Sequence, residues 1–156
     1  MRILGIDPGS TKMGFAVLDN QGGVLTPLIY GTTVIKEKNL SEKLLAVRQQ
    51  LLKIIRTYKP NCVGLEQLFF AKNKKTALEV AHARGVIALT ILENKIPLLE
   101  FTPAQVKIAV ANYGSADKQM VAKMVCAILK LKSIKGDDNA ADALAVAIAA
   151  AHYKSY

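Results

Sequence analysis

Residues 3–10 constrain this chain more than any other stretch, because a short apolar run there ends abruptly in Asp7 and is followed by Pro-Gly. This pattern predicts a buried β-strand that delivers its last side chain to a turn at the edge of a sheet. Asp before Pro-Gly is also common turn chemistry, so Asp7 by itself fits a structural role equally well. A second short apolar run, residues 62–65, likewise ends in an acid, Glu66. Two strands that each end in a carboxylate predict a site.

The charge of the chain indicates the class of partner. The formal net charge is +9 and the sequence pI is about 9.6. Because polyanion binding draws its affinity from Lys and Arg meeting phosphates, nucleic acid is the leading candidate; a solvated basic surface without a partner is the alternative. A basic exterior around a few acids is what a metal-dependent nuclease requires.

Size and composition limit the class of protein. The 156 residues, of which 51% are hydrophobic and 21% charged, fit one globular domain spanning 1–156. No apolar run approaches the ~20 residues of a membrane span, and the N-terminus lacks the layout of a signal peptide, so we expect a cytoplasmic protein that does not bind membranes. The cysteines, Cys62 and Cys126, lack partners at metal-ligand spacing and are predicted to be reduced core residues.

The first half of the chain is predicted to be a β-meander followed by a helix and a strand. Segments 2–7, 12–19 and about 24–35 are β-rich and separated by turn residues, which indicates antiparallel pairing. A helical period then runs over about 40–58, and its start resembles a capping box formed by Asn39 and Glu42. The next strand, 62–66, brings Glu66 to its end.

The second half is predicted to contain helices and one more strand. A helix over 76–94 is apolar on more than one face, so it is either deeply buried or also covers a partner subunit, and a homodimer is expected. Strand 96–101 precedes a helix that starts at Thr102 with Pro103 and Gln105 in capping-box positions. We predict that Ser115 caps the following helix and that its apolar stripe packs in the core. That stripe comprises Met120, Met124, Ile128 and Leu131.

Residues 67–75 mix two aromatic side chains with three lysines directly after Glu66. Nucleic acid uses such a mixture, since bases stack on the rings while phosphates meet the ammonium groups. For the two phenylalanines, packing at a strand-to-helix corner is an equally good interpretation. The predicted DNA-binding residues of this segment are Phe69, Phe70, Lys72, Lys74 and Lys75.

Two further lysines, Lys107 and Lys118, lie near helix beginnings, where a cation gains nothing from the helix dipole. That placement indicates contact with phosphate. The alternative is two ordinary solvated lysines.

The last helix begins among acids. Asp137 and Asp138 fit the roles of cap and dipole partner. Asp142 does not, because it lies beyond the first turn among alanines, where an unpaired carboxylate is costly to bury. It therefore needs a cation, and helical spacing lets Asn139 or Asp138 share its face.

Asp7, Glu66, Asp142 and one polar neighbour thus come from two strands and one helix. Carboxylate and amide oxygens are the ligands that Mg²⁺ or Mn²⁺ prefers. Two such ions ~3.5 to 4 Å apart activate water and stabilise the leaving oxygen of a phosphodiester. The predicted chemistry is metal-assisted hydrolysis.

Several short motifs together resemble one known family over essentially the whole chain. They are Gly5-Ile6-Asp7-Pro8-Gly9-Ser10, Leu65-Glu66-Gln67, Phe69 with Ala71-Lys72-Asn73, Ala83-Arg84-Gly85, Gln105-Val106-Lys107, Gly114-Ser115-Ala116-Asp117-Lys118 and Ala140-Ala141-Asp142-Ala143-Leu144-Ala145. In this order the sequence is similar to RuvC, the bacterial crossover junction endodeoxyribonuclease.

The resemblance implies an α/β protein with an RNase H-like fold, whose mixed five-stranded sheet is flanked by helices. It also implies a homodimer that cuts four-way Holliday junctions by paired symmetric nicks with Mg²⁺, beside a RuvA-RuvB-type branch-migration complex. By matching position, the implied metal-binding catalytic acids are Asp7, Glu66 and Asp142. The implied basic residues of the active site are Lys107 and Lys118, Phe69 stacks near the junction centre, and Arg84 joins the DNA-binding set.

One position departs from the family. RuvC-like proteins usually carry Asp, sometimes His, three residues before the last carboxylate, where this chain has Asn139. An amide oxygen ligates Mg²⁺ without bringing charge, so metal affinity and rate should fall. A natural variant, an engineered Asp→Asn change, and a one-residue shift that recruits Asp138 are the competing explanations. Our hypothesis is that Asn139 is the aligned position and weakens catalysis.

Three other functions compete with the nuclease. Asn139 gives weight to a module that binds branched DNA without cutting it. The segment after Gly5 is also similar to the phosphate loops of actin-like ATPases and sugar kinases, but those need two such domains and a second glycine-rich loop. An RNase H-like nuclease acting on RNA would leave the matches at 69–75 and 115–118 unexplained.

Overall fold

The strands form one mixed sheet in the order β3-β2-β1-β4-β5. The computed structural model describes residues 1–68 and 74–153, except for the side chains of Lys74 and Lys75. The predicted meander is confirmed, because β1 pairs antiparallel with β2, and β2 with β3. β4 then pairs parallel with β1, and β5 parallel with β4. The strands are β1 (Arg2–Asp7), β2 (Lys12–Gln21), β3 (Val24–Val34), β4 (Cys62–Glu66) and β5 (Leu98–Phe101).

The helices cover both faces of the sheet. α1 and α2 contribute to one buried cluster with residues such as Leu4 and Ile6 of β1, and α3, α4 and α5 contribute to the other with Ile3. Successive β1 side chains thus enter opposite cores, as the pleat of a strand requires. The helices are α1 (Leu40–Tyr58), α2 (Lys74–Glu93), α3 (Pro103–Ala111), α4 (Lys118–Leu129) and α5 (Asp138–Tyr153).

Two predicted helix starts are confirmed by their side-chain caps. Asn39 accepts a hydrogen bond from the backbone N–H of Glu42 at 2.9 Å. Thr102 and Gln105 form a complete capping box, with each side chain accepting from the other's backbone N–H. These caps satisfy donors that a helix leaves unpaired at its first turn.

α5 lies directly on β1 because Gly5 has no side chain. A Cβ there would come within 2.3 Å of the carbonyl oxygen of Ala143 and 2.4 Å of the backbone N of Ala147. Ten residues of α5 are buried, most of them alanines. Small residues on both elements thus bring the helix backbone against the strand that ends in Asp7.

The start and the buried face of α4 differ from the prediction. Asp117, and not Ser115, is the N-cap, and it accepts from the N–H of Met120 at 2.7 Å. Met120 and Met124 are 49% and 38% exposed, so the predicted core stripe is wrong for these two residues. The fully buried side chains are instead Val125 and Leu129. Val125 and Leu129 each lie one residue after a position of the predicted stripe. Because successive helix residues are turned by 100°, the buried face of α4 is turned away from both methionines.

The remaining differences from the predicted elements are small. β5 begins at Leu98 because the preceding residues still close α2: Lys95 has φ 55°, and the Ile96 N–H donates to the Ile91 carbonyl at 3.3 Å. The predicted core position is confirmed for Cys62, which is buried. It is wrong for Cys126, which is only half-buried on α4. Within the described residues, no helix has the length and apolarity needed to cross a membrane.

Candidate active site

Asp7 and Glu66 stand at neighbouring ends of parallel strands. The β1–β4 ladder runs through Ile6 opposite Leu65, and the acids are the next residue on each strand. Parallel strands point their carboxyl ends to the same edge of a sheet, so the topology alone brings these side chains together. Both are partly buried there.

Asp142 joins them from α5, whose first turn is fixed by a second close approach. A Cβ on Gly14 of β2 would lie 2.1 Å from the carbonyl oxygen of Asn139. β2 pairs with β1, and Gly14 is the register partner of Asp7. The start of α5 is therefore held against the sheet at the level of Asp7.

The electrostatics of these acids are coupled. Burial, followed by the charges of Glu66 and Asp142, raises the pKa of Asp7 to about 7. Burial and the charge of Asp142 likewise raise the pKa of Glu66 to about 7. The pKa of Asp142 is raised too, chiefly by burial. Like charges that each disfavour the other's ionisation form a site that favours an added cation.

Two predicted lysines face the acids. Lys118 Nζ lies 3.5 Å from Asp142 Oδ2 and 3.4 Å from Asp138 Oδ2, and the charge of Asp142 is the main reason why the pKa of Lys118 is raised. Lys107 lowers the pKa of Glu66. Both lysines line a cleft of about 290 Å³ together with Glu66 and Asp142. The predicted active-site lysines therefore lie beside the predicted acids.

The side chains do not form a closed ligand set. Among the described residues, no group of three or more His, Cys, Asp and Glu is arranged to hold a metal ion. The cation that contacts Asp138 and Asp142 is the Lys118 ammonium. The donor set nevertheless has the chemistry of a hard-cation site, because the carboxylates from β1, β4 and α5 are close enough for Glu66 and Asp142 to raise the pKa of Asp7, and for Asp142 to raise that of Glu66.

A hydrogen bond to a neighbouring carboxylate orients the side-chain amide of Asn139. Its Nδ2 donates to Asp137 Oδ2 at 3.1 Å. Asp137 also accepts from the Thr32 hydroxyl and from Lys12 Nζ, the latter at 3.1 Å. These contacts, that of Thr32 foremost, hold the pKa of Asp137 far below its usual range. Since the amide nitrogen is used in this contact, the carbonyl oxygen is the atom of Asn139 that remains for a cation.

Sequence reasoning missed two contacts that connect α2 to the acid-bearing strands. Arg84 Nε donates to the backbone oxygen of Glu66 at 3.2 Å, and Nη2 pairs with Glu100 on β5. Glu79 accepts from the buried Ser10 hydroxyl at 3.4 Å and from Lys43 at 2.9 Å. The Ala83-Arg84-Gly85 motif contained a signal for the first contact. We find none for the second, because its partners are 69 residues apart.

The predicted DNA-binding segment is outside the described part of the chain. Phe69, Phe70 and Lys72 lie at 69–73, and the side chains of Lys74 and Lys75 are also undescribed. Their predicted roles remain predictions.

Comparison with known proteins decides the family. Residues 3–150 match the family described as "Crossover junction endodeoxyribonuclease RuvC". The chain belongs to the RuvC family. A RuvC of Desulforamulus reducens is 44% identical over 156 residues, covering 99% of this chain and 96% of the relative. One from Thermosipho melanesiensis is 43% identical over 148 residues, covering 94% of each chain.

A solved RuvC structure also has the same fold as this chain. The solved structure of T. thermophilus RuvC in complex with Holliday junction substrate aligns with a TM-score of 0.91 at 31% identity, covering 99% of this chain and 94% of that one. The RNase H-like α/β fold implied by the resemblance is confirmed, and RuvC family membership makes the chain a nuclease of the hydrolase class.

Proposed function

We propose that this chain is a structure-selective endonuclease that resolves four-way (Holliday) DNA junctions by paired symmetric nicks. The observation that carries the proposal is the cleft that Glu66 and Asp142 line with Lys107 and Lys118, together with Asp7, whose pKa the charges of both acids raise. Membership of the RuvC family and the junction-bound relative support the choice of substrate. The net charge of +9 supports binding to the phosphate backbone.

Divalent metal is the cofactor that the donor set fits, with Mg²⁺ as the working ion and Mn²⁺ as a substitute. Asp7, Glu66 and Asp142 would hold it, with the amide oxygen of Asn139 and the carboxylate of Asp138 as candidates for completing the set. When bound, such ions lower the pKa of attacking water and stabilise the leaving oxygen. Hard oxygen donors and the absence of thiolate or imidazole from this set favour Mg²⁺ over softer ions.

The protein's own residues hold the acids and place the DNA strand. The strand acids are fixed by the sheet and need only lose their protons. Lys107 is placed to contact a phosphate in the cleft. Lys118 is placed to exchange its contacts with Asp138 and Asp142 for a phosphate, because its side chain is 71% exposed. The wider DNA surface would include Phe69, Phe70, Lys72, Lys74 and Lys75.

The homodimer is proposed to form through the outer face of α2, defined by Leu78, Ala81, Gly85, Leu89 and Leu92. The three leucines are 61%, 58% and 59% exposed. Gly85 leaves open space between them, since a Cβ there would meet nothing within 4 Å. A small centre flanked by exposed leucines favours close packing of two helices. A RuvA-RuvB-type complex and a cytoplasmic location complete the proposal by family analogy.

Cleavage of a labelled synthetic four-way junction with Mg²⁺ tests the function. We expect paired nicks from the wild type and none from Asp7→Asn, while both proteins bind the junction in EDTA. Asn139 favours a second candidate, a module that binds branched DNA without cutting it. Binding with no nicking by the wild type in either Mg²⁺ or Mn²⁺ would establish that second function.

A further inference from the structure

α2 carries a buried stripe opposite its outer face, and two charged residues flank that stripe. Ala83, Ile87 and Ile91 are fully buried against the sheet. At 100° per residue, Glu79 and Arg84 lie on opposite sides of them. Arg84 contacts Glu66, the last residue of β4, and Glu79 contacts Ser10 in the turn that follows β1.

Arg84 binds the backbone and not the carboxylate of Glu66. Its Nε donates to the Glu66 carbonyl oxygen, while Nη2 pairs with Glu100 on the neighbouring strand. The cations that lower the pKa of the Glu66 carboxyl are Lys118 and Lys107. Arg84 therefore fixes where Glu66 stands and leaves its negative charge for a metal. With 22% of its side chain exposed, Arg84 is also poorly placed to meet a phosphate.

Glu79 makes the equivalent contact with the loop after Asp7. Its carboxylate accepts from the hydroxyl of Ser10, which is 4% exposed, three residues beyond the acid. Lys43 of α1 pairs with the same carboxylate oxygen and compensates its charge. The turn that follows Asp7 is thereby anchored to α2.

We infer that Arg84 and Glu79 are positioning residues, which hold the ends of β4 and β1 on α2 so that Glu66 and Asp7 meet a metal in register. The inference rests on the proposed metal-dependent cleavage and reassigns Arg84, which the sequence placed in the DNA-binding set. Catalytic groups misplaced by about 1 Å lose up to about 100-fold in rate, so the effect is expected in chemistry and not in junction binding.

The experiment compares Arg84→Met, Arg84→Lys and Glu79→Gln with the wild type in the full-length protein. The readouts are junction Kd in EDTA, single-turnover nicking rate at saturating junction, and the rise in thermal midpoint on adding Mn²⁺ without DNA. Arg48→Gln is the matched control, because Arg48 also ties an element to α2, through an exposed ion pair between α1 and Glu93 at 2.9 Å.

For Arg84→Met we expect an unchanged junction Kd and a nicking rate lowered about 10- to 100-fold. The rise in its thermal midpoint should need a higher Mn²⁺ concentration than in the wild type. Glu79→Gln should show a smaller loss of the same kind, Arg84→Lys should recover part of the rate, and Arg48→Gln should match the wild type. If Arg84→Met fails to fold, Glu100→Ala, which removes the second contact of Arg84 and leaves the first, should show the same pattern more weakly.

Three outcomes would overturn the inference. A weaker Kd with a normal saturated rate would make Arg84 a DNA contact. Equal loss in Arg48→Gln would make these ties merely structural, and wild-type values throughout would remove any role. If the wild type binds Mn²⁺ but does not nick junctions, the proposed junction cleavage is wrong. The Mn²⁺ concentration needed to raise the thermal midpoint of each variant still tests the positioning role.

Discussion

The acids at the ends of the strands and the acids at the start of α5 differ in how their charge is balanced. Asp7 and Glu66 are partly buried, and burial is the main cause of their raised pKa values. Asp138 and Asp142 share the ammonium of Lys118, and the side chain of Asp138 is 83% exposed. Within the described part of the chain the strand acids have no ion pair, whereas the two helix acids share Lys118, which offsets part of the cost of burying Asp142. A bound divalent cation should therefore stabilise the ionised forms of Asp7 and Glu66 more than those of the helix acids.

The largest expected effect is the loss of cleavage when an acid at the end of a strand is substituted. Asp7→Asn or Glu66→Gln should lower the nicking rate on the order of 1,000-fold or more, because each removes a metal-binding charge from the site. Asp138→Ala should lower it only a few-fold. Single-turnover nicking, with junction binding measured in parallel, checks the contrast. Equal losses at Asp7 and Asp138 would show that the two regions do not differ as proposed.

The next effect is on the stability of the metal-free protein. Asp7 and Glu66 keep their protons in the folded state up to about pH 7, whereas the unfolded chain loses them near the ordinary pKa values of 3.8 and 4.5. The folded state thus binds more protons across this window, so the free energy of unfolding should fall as pH rises from about 4 to 7. We expect a fall of about 1–3 kcal/mol.

Urea unfolding in EDTA at a series of pH values measures this slope. Asp7→Asn should make the slope smaller, because only Glu66 then contributes to it, and should be more stable than the wild type at pH 8. Addition of Mg²⁺ at pH 8 should stabilise the wild type and leave Asp7→Asn nearly unchanged. A wild-type free energy of unfolding that rises steadily from pH 4 to 7 would contradict the assignment of uncompensated charge to the strands.

Topology made the strand half of this comparison predictable from the sequence. Apolar runs that end in Asp7 and Glu66 give a sheet, and parallel pairing forces their ends together. Glycines at positions 5 and 14 then let α5 approach. The Ala83-Arg84-Gly85 motif indicates Arg84 but not its partner, and the partners of Arg84 and Glu79 could not be predicted because they depend on the rotation of α2 over the sheet. The methionines of α4 could not be placed for the same reason. The buried face of α4 begins one residue later than predicted, so Met120 and Met124 are exposed and not in the core.

Lys118 links the two regions, and its removal should have an intermediate effect. Its charge lowers the pKa of Asp7, Glu66 and Asp142. In Lys118→Met all three pKa values should rise, so metal binding should need a more alkaline solution. We expect the Mn²⁺-dependent rise in thermal midpoint to shift upward in pH by about one unit. Lys123→Met, on the exposed side of the same helix, is the control and should leave the pH profile unchanged.

The smallest effect is expected at Asn139, where two charge effects oppose each other. Asn139→Asp would add a carboxylate to the proposed metal set, which favours Mg²⁺ binding. It would also replace the amide donor that lies 3.1 Å from Asp137 with a like charge. We therefore expect no more than about a tenfold gain in nicking rate, together with lower metal-free stability. Asp137→Asn combined with Asn139→Asp should keep the gain and recover only part of the stability, because it removes the repulsion but also the ion pair of Asp137 with Lys12. No gain in either variant, with a large loss in Asp138→Ala, would transfer the fourth metal-binding role to Asp138.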